Sequence, residues 1–248
     1  MALPYKHSTD NKKGQVEEMF DNISPKYDLL NHLLSVNIDK MWRKRTIRKL
    51  AAFQPHTVLD VATGTGDFAV AATKLGDVKL VGIDISEGML KVAREKVKRR
   101  QLDQQISLQK ADSENLPFED QEFDAAIVGF GVRNFENLEK GLREILRVLK
   151  PGGVFFILEF SRPRKTPFKQ VYHFYFKHIL PFIGRMISKD KSAYTYLPES
   201  VNEFPDGEQF LAILARVGFS ANKCYRQTFG IASIYEAHKP LNDANTAQ

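Results

Sequence analysis

Short apolar runs alternate with helix-like periods from about residue 57 onward. Five runs have the length and the β-branched or aromatic content of buried strands, and they fall near residues 57–61, 79–84, 106–109, 124–129 and 153–159. Helical spacing fills the intervals near residues 66–75, 87–100 and 138–149. This alternation predicts an α/β fold with a doubly wound, mostly parallel, Rossmann-like sheet.

The two ends of the chain extend this scheme. A helix near 207–216 is followed by β-like runs at 219–225 and 228–237, which predict an antiparallel edge hairpin and complete a seven-stranded sheet. Before the sheet, helical spacing over 16–50 breaks at Ser24-Pro25 and predicts a helical cap. Pro151-Gly152-Gly153 predicts a break between a helix and the fifth strand.

The domain organisation follows from these elements. We expect one domain over residues 16–240, with flexible tails at 1–15 and 241–248. Within it, a helical insertion is expected over 162–205. Its aromatic face, around Phe174, is interpreted first as buried core, and an acceptor pocket or a membrane-facing surface is the alternative.

Composition narrows the class of protein. The 248 residues are 43% hydrophobic, enough for a substantial core. A single cysteine, Cys224, leaves no intrachain disulfide framework and favours a reducing, cytoplasmic setting. The start "MALPYKHSTDNKK" lacks the apolar core of a secretory signal. His173 and His178 are five residues apart and do not share a helix face, so we expect no metal site.

The net charge of +6 is distributed unevenly. Basic residues concentrate in 40–49, 91–100 and 161–169. Such surfaces attract anionic membranes and nucleic acids. The run at 91–100 is explained as well by the solvated face of a helix.

The turn in "LDVATGTGDFAV" suggests a nucleotide cofactor. Gly64 and Gly66 satisfy G-x-G-x-x-A, and Asp84 lies 20 residues beyond Gly64, so a nicotinamide dinucleotide is one hypothesis. Asp60 and Asp67, however, place carboxylates around the turn, where a pyrophosphate is repelled. The ammonium and sulfonium of S-adenosylmethionine are attracted instead, and each sign is worth about 4 kcal/mol at intermediate dielectric. The charges therefore favour S-adenosylmethionine.

Acidic residues also follow the next two strands. Asp84, in "LVGIDIS", is placed to accept hydrogen bonds from both ribose hydroxyls. Asp112, in "LQKADSENLPF", is placed to accept one from the adenine amino group, with the Ser113 backbone beside it. At the ends of successive strands, these aspartates form one predicted cofactor site.

Three stretches of the sequence resemble one family. They are "YDLLNHLLSVNIDKMW", "GFGVRNFEN" and "RVLKPGGVFFILEFS". The chain resembles the class I S-adenosylmethionine-dependent methyltransferases and, among them, the menaquinone/ubiquinone biosynthesis C-methyltransferases, the demethylmenaquinone methyltransferase group. The resemblance covers about residues 16–238. It implies cofactor contacts at Thr65, Asp84, Asp112 and Ser113.

The resemblance also implies a reaction: methyl transfer to a ring carbon of demethylmenaquinol. A polyprenyl benzoquinol of ubiquinone biosynthesis is the alternative acceptor. Such polyprenylated quinols imply transient contact with the inner-membrane surface, and a homo-oligomer is compatible with the sequence. The chain departs from the family pattern at Leu30, Asp39 and Gly129, where methionine, histidine and serine are usual. Asp39 removes an imidazole from the cap.

Four residues are candidates for the chemistry. Arg133 and Asn134 follow the fourth strand at the sheet's switch point, where they could stabilise a quinol oxyanion. A structural salt bridge explains Arg133 equally well. Tyr27 and Asp28 belong to the cap, and Asp28 is a candidate base. Helix capping and core packing account for this pair at least as well.

Two other functional classes are compatible with the sequence. A nucleic-acid methyltransferase would use the same cofactor half, but its amino-directed members carry an Asn/Asp-Pro-Pro-aromatic loop after the fourth strand. This chain has Gly-Phe-Gly-Val-Arg-Asn there. A cofactor-binding scaffold without turnover is the other alternative.

Overall fold

The computed structural model describes residues 2–28, 35, 37–174 and 192–241. The strands are β1 (Thr57–Val61), β2 (Lys79–Asp84), β3 (Ile106–Lys110), β4 (Phe123–Gly129), β5 (Leu149–Phe160), β6 (Ser220–Gln227) and β7 (Ala232–His238). The α-helices are α1 (Lys12–Ile23), α2 (Ile38–Leu50), α3 (Asp67–Ala72), α4 (Glu87–Arg99), α5 (Leu138–Val148), α6 (Phe168–Phe174), α7 (Ser192–Glu203) and α8 (Glu208–Val217).

The strands form one sheet in the order β3-β2-β1-β4-β5-β7-β6. β1 to β5 are parallel, whereas β7 runs antiparallel to both β5 and β6. The predicted fold class, a seven-stranded doubly wound sheet with an antiparallel edge hairpin, is therefore confirmed. The carboxyl ends of β1 to β5 meet at one edge, which we call the carboxyl edge.

Both faces of the sheet are covered, which explains the continuous apolar runs of the central strands. In β1, alternate side chains point to opposite cores. Leu59 packs in a core that includes Leu142 of α5. Val58 packs in a second core that includes Leu50 of α2 and Ala69 of α3. All five residues are fully buried.

The Pro-Gly-Gly sequence does not separate α5 from the sheet as expected. β5 begins at Leu149, so Pro151, Gly152 and Gly153 lie inside the strand. The register with β4 shifts there, which accommodates the proline as a bulge.

Ordered contacts with the rest of the protein begin closer to the N-terminus than we expected. α1 begins at Lys12, inside the predicted tail of 1–15. Upstream of it, the Ala2 amide donates to the Glu203 carboxylate at 2.5 Å, and Lys6 pairs with Glu199 at 2.9 Å. Charged groups on α7 thus hold a polar stretch whose composition predicts a free tail.

The described parts of the cap and the insertion are mostly helical. Asp21 of α1 accepts hydrogen bonds from the Ser86 hydroxyl at 2.6 Å and the Gly88 amide at 2.8 Å, so α1 is fixed to the start of α4. α6 and α7 lie within the insertion predicted over 162–205. Residues 175–191, which carry most of its aromatic face, and the predicted tail from 242 to 248 lie outside the described residues.

We expect Tyr235→Phe to lower the free energy of unfolding by about 1–3 kcal/mol, because it leaves a buried donor without its acceptor. Tyr235 is fully buried on β7, and its hydroxyl oxygen accepts a hydrogen bond from the Gly207 amide at 2.8 Å. Tyr225→Phe is the matched control: Tyr225 lies on the less buried edge strand β6 and donates to Glu236 of β7 at 3.0 Å, where water can replace the lost hydroxyl. Urea denaturation measures both; an equal loss in the two variants contradicts the prediction.

Candidate functional site

A cleft opens at the carboxyl edge of the sheet, beneath α1. The space between its walls, open solvent included, is about 700 Å³. Its walls come from the loops after β1 to β4 and from the buried face of the cap. The lining residues include Lys13, Val16, Phe20, Tyr27, Gly64, Asp84, Ile85, Met89, Asp112, Ser113, Glu114, Phe130, Asn134 and Glu136.

Asp84 ends β2 and joins two walls of this cleft. One carboxylate oxygen accepts from the Gly64 amide at 2.8 Å and the other from the Ser86 amide at 2.9 Å. Burial raises the pKa of Asp84 to about 6, although these amide donors favour the ionised form. A carboxylate retains further acceptor capacity after two hydrogen bonds. Asp84 is therefore placed to receive ligand hydroxyls from the cleft.

The glycine turn after β1 divides between the cleft and the helix behind it. Gly64 has a φ of +57° and borders open space on the cleft wall. Gly66 has a φ of +80° and precedes α3, and a Cβ there would lie 3.3 Å from the Ala93 side chain. Thr65 is buried, and its hydroxyl donates to Asp28 of the cap. Of these three residues, Gly64 alone lines the cleft.

The two aspartates flanking the turn do not line the cleft. Asp60 is fully buried beneath the turn and accepts from the Thr63 hydroxyl at 2.6 Å. Burial raises the pKa of Asp60 to about 7. Asp67 turns away to pair with Lys96 at 2.6 Å. The carboxylates that give the cleft its negative charge come instead from later loops, and they are Asp84, Asp112, Glu114 and Glu136.

Asp112 and Ser113 form the far wall, after β3. Asp112 accepts from the Glu114 amide at 2.9 Å and pairs with Lys13 of α1 at 2.6 Å. Glu114 is buried and accepts from the Glu136 amide at 2.8 Å. The wall is thus fixed to both the cap and the loop after β4.

Tyr27 and Asp28 occupy different positions although they are neighbours in the chain. Tyr27 lines the cleft and contacts Phe20 edge to face, with ring centroids 5.9 Å apart. Asp28 lies outside the lining, where it pairs with Lys96 at 2.7 Å and accepts from the Thr65 hydroxyl. Lys96, on α4, thus bridges Asp28 and Asp67.

Arg133 and Asn134 lie on a short 3-10 turn after β4. The Arg133 guanidinium donates to Glu159 at 2.8 Å and to the Phe130 carbonyl at 2.5 Å. Its side chain is 6% exposed and does not line the cleft. Burial raises the pKa of Glu159. Asn134 does line the cleft, and its amide oxygen accepts from the Tyr196 hydroxyl at 3.1 Å.

The contribution of α1 to the cleft wall was not predicted from the sequence. Lys13, Val16 and Phe20 follow helical spacing and line the cleft. Residues at i, i+3 and i+7 share a helix face, so the pattern was available. It did not say which partner that face covers. Glu114 and Glu136 had no signal beyond their charge.

No helix among the described residues is long and apolar enough to cross a membrane. Within the same ranges, no group of three or more His, Cys, Asp or Glu side chains could hold a metal ion.

The chain matches known proteins over most of its length. A model of the ubiE/COQ5 methyltransferase family matches residues 7–239. A demethylmenaquinone methyltransferase of Bacteroides fragilis is 51% identical over 235 residues, which are 94% of this chain and 96% of that protein. A ubiquinone/menaquinone biosynthesis C-methyltransferase of Geotalea daltonii is 46% identical over 231 residues, which are 92% and 98% of the two chains.

Solved structures show the same fold at low identity. A SAM-dependent methyltransferase of Thermotoga maritima superposes with a TM-score of 0.64 at 18% identity, covering 90% of this chain and 99% of that one. A second structure, titled as a putative S-adenosyl-L-methionine-dependent methyltransferase from Methanococcus maripaludis, gives 0.61 at 20% identity and covers 97% and 99%.

We expect the dissociation constant for S-adenosylmethionine to rise as the pH falls below about 6, the value to which burial raises the pKa of Asp84. Protonation removes the negative charge that strengthens hydrogen bonds accepted from ligand hydroxyls, and one proton per site gives a slope of at most about tenfold per pH unit. Asp84→Asn should bind weakly and with little slope.

Isothermal titration calorimetry between pH 5 and 7 measures this dependence. The matched control is Asp103→Asn, at an exposed position, which should follow the parent chain. A slope that persists unchanged in Asp84→Asn assigns the titration to another group.

Proposed function

This chain belongs to the ubiE/COQ5 methyltransferase family, and we propose that it transfers a methyl group from S-adenosylmethionine to a ring carbon of demethylmenaquinol. The observation that carries the proposal is the buried Asp84 carboxylate, which joins two loops and still faces the cleft. The relatives' names supply the acceptor class. The enzyme is thus an S-adenosylmethionine-dependent C-methyltransferase.

The charges of the cleft fit this cofactor. Four carboxylates and one ammonium line it, and that ammonium, from Lys13, is already paired with Asp112. The excess of negative charge attracts the cofactor's ammonium and sulfonium and repels a pyrophosphate. Ile85, Met89 and Phe135 supply an apolar wall for a planar ring.

Cofactor contacts are assigned along the cleft. Asp84 accepts from the ribose hydroxyls, and the Gly64 backbone borders the amino-acid part. Asp112 and the Ser113 backbone receive the adenine edge. A second set, Asp60, Thr65 and Gly66, holds the turn in shape from behind, since these residues do not line the cleft.

The quinol occupies the end of the cleft bordered by the loop after β4. When bound, the cofactor supplies the methyl group. The ring carbon becomes nucleophilic as a quinol hydroxyl loses its proton, and a phenol has a pKa near ~10 in water, so the negative charge on oxygen needs stabilisation. Asn134 is the residue on this wall with an amide donor, and the Tyr196 hydroxyl fixes its orientation.

Arg133 acts on this reaction through Asn134. Its charge is matched by the buried Glu159 carboxylate, so its net field at the cleft is small. Its contacts with Glu159 and the Phe130 carbonyl hold the turn that carries Asn134.

The cap residues divide in the same way. Tyr27 covers the cleft from the α1 side. Asp28, paired with Lys96, anchors the cap to α4 rather than serving as the base. The predicted domain of residues 16–240, extended to the start of α1 at Lys12, forms one functional unit, since the cap supplies part of the cleft wall.

The acceptor's polyprenyl chain places the reaction at a membrane surface. We assign the protein to the cytoplasmic side of the membrane, where it contacts the bilayer transiently. Basic residues near α2 and α6 support that contact.

Methyl transfer tests the proposal directly. Labelled S-adenosylmethionine is incubated with reduced demethylmenaquinone and, separately, with the benzoquinol of ubiquinone biosynthesis, both in detergent micelles. We expect turnover of the naphthoquinol. Turnover of the benzoquinol alone would move the assignment to the ubiquinone branch. If the chain binds the cofactor but methylates neither quinol, RNA is the next substrate to test. Methylation of RNA would favour a nucleic-acid methyltransferase, and no methylation of RNA would favour a scaffold without turnover.

We expect Asn134→Asp to lower kcat by about a hundred- to a thousandfold, as loss of an oxyanion donor does. The new carboxylate repels the developing phenolate, while the hydrogen bond from Tyr196 can still form. The dissociation constant for S-adenosylmethionine should not rise, because an added carboxylate on the cleft wall attracts the cofactor's ammonium and sulfonium.

Asn137→Asp is the matched control for this change. Asn137 caps α5 by accepting from the Lys140 amide at 3.0 Å, and aspartate serves that role equally. Near-parental kcat in Asn134→Asp would remove Asn134 from the mechanism.

A further inference from the structure

An exposed aromatic side chain stands at the carboxyl edge, beyond the cleft. Phe229 is 67% exposed, and its backbone has a φ of 56°. The preceding Thr228 has a φ of 42°. Non-glycine residues rarely adopt this left-handed conformation. A turn with two of them in succession persists only where contacts with the surrounding structure hold it in place. The backbone therefore holds the Phe229 ring outward despite its apolar character.

Phe168 supports that ring. The two rings stack with centroids 3.7 Å apart and planes 6° from parallel. Phe168 begins α6, whose last described residue, Phe174, is 60% exposed. Two separate elements thus present an aromatic surface on one side of the molecule.

Basic residues surround this surface. On α2, Met41, Lys44 and Arg48 are exposed and share one helix face. Arg45, next to them, donates to Gln227 at 2.9 Å and fixes this helix beside the turn. Lys165 is exposed just before Phe168. We call Met41, Lys44, Arg48, Lys165, Phe168 and Phe229 the docking face.

The charge of the docking face is not offset locally. The segments 38–50, 161–174 and 223–231 contain one acidic residue, Asp39. It is 3% exposed and paired with Arg43. The neighbouring Asp206 has a side chain that is 2% exposed, and it pairs with Arg162 at 2.8 Å. The exposed charge of these three segments is therefore positive.

Aromatic residues connect the docking face to the cleft. Trp42 donates to the Thr228 hydroxyl at 2.8 Å. Its ring centroid lies 6.2 Å from that of Phe130, which lines the cleft. A series of contacts from Thr228 through Trp42 to Phe130 thus links the turn that carries Phe229 to the cleft wall.

We propose that the docking face binds anionic lipid bilayers, with Phe229 inserted among the acyl chains and the basic residues on the headgroups. Interfacial aromatic residues flanked by Lys and Arg have the chemistry for this contact. This proposal rests on the proposed function, because docking on the bilayer would bring the cleft next to the polyprenylated acceptor. A second copy of the chain and an RNA are the competing occupants.

Vesicle co-sedimentation tests the proposal without any turnover. The full chain is mixed with phosphatidylcholine vesicles and with vesicles of phosphatidylcholine and phosphatidylglycerol. We expect binding to the anionic vesicles that weakens with salt. Phe229→Asn should lower the partition coefficient about tenfold; asparagine tolerates the left-handed backbone, so the fold is kept.

Matched controls separate this surface from general charge and apolarity. Phe53→Asn removes a ring that is 41% exposed and contacts His238, at the end of β7 opposite the carboxyl edge. Lys44→Gln with Arg48→Gln should weaken binding about ten- to thirtyfold. Lys98→Gln with Arg99→Gln removes equal charge from exposed positions on α4 and should leave binding within about twofold.

Several outcomes overturn the proposal. They are no vesicle binding by the parent chain, equal losses in Phe53→Asn and Phe229→Asn, dimer dissociation in Phe229→Asn with vesicle binding unchanged, and RNA binding that depends on the docking face without vesicle binding. A loss of quinol methylation together with normal vesicle binding is a failure of the proposed function alone. The converse result, normal methylation in micelles without vesicle binding, removes the docking face alone.

Discussion

The cleft depends on one buried carboxylate. Asp84 receives amide hydrogen bonds from the loop after β1 and from the start of α4. Burying an ionised group costs free energy unless hydrogen bonds compensate it, and here the two donors come from different loops. Removing either donor therefore raises the cost of ionising Asp84. The geometry of the glycine turn and the ionisation of Asp84 therefore depend on each other.

The same principle explains why the cap is charged on its inner side. Several polar contacts join α1 to the body of the protein, and among them Lys13 pairs with Asp112, Glu17 with Lys110 and Asp21 with the start of α4. A purely apolar interface would cover Asp112 of the cleft without a cationic partner. Lys13 provides that partner from α1 and compensates part of the cost of burying the carboxylate.

Periodicity was sufficient to predict the sheet because both faces are covered, so each central strand is a continuous apolar run. It was insufficient at the glycine turn. Asp60, Asp67 and Asp84 carry the same charge in the sequence, yet Asp84 alone of the three lines the cleft. Asp67 turns toward Lys96, which is 29 residues distant in sequence. The direction of a side chain depends on such long-range partners, and no local pattern contains them.

Asp112 connects the cap to the proposed adenine contact. In the described structure Lys13 and the Glu114 amide already bond its two oxygens. A carboxylate has about four acceptor positions, so an adenine amino group can be added without displacing either donor. Each donor stabilises the ionised carboxylate on which the others depend. With the proposed adenine contact at Asp112, the position of α1 and the affinity for the cofactor are linked through one side chain, and by reciprocity cofactor binding would stabilise the contact between α1 and this wall.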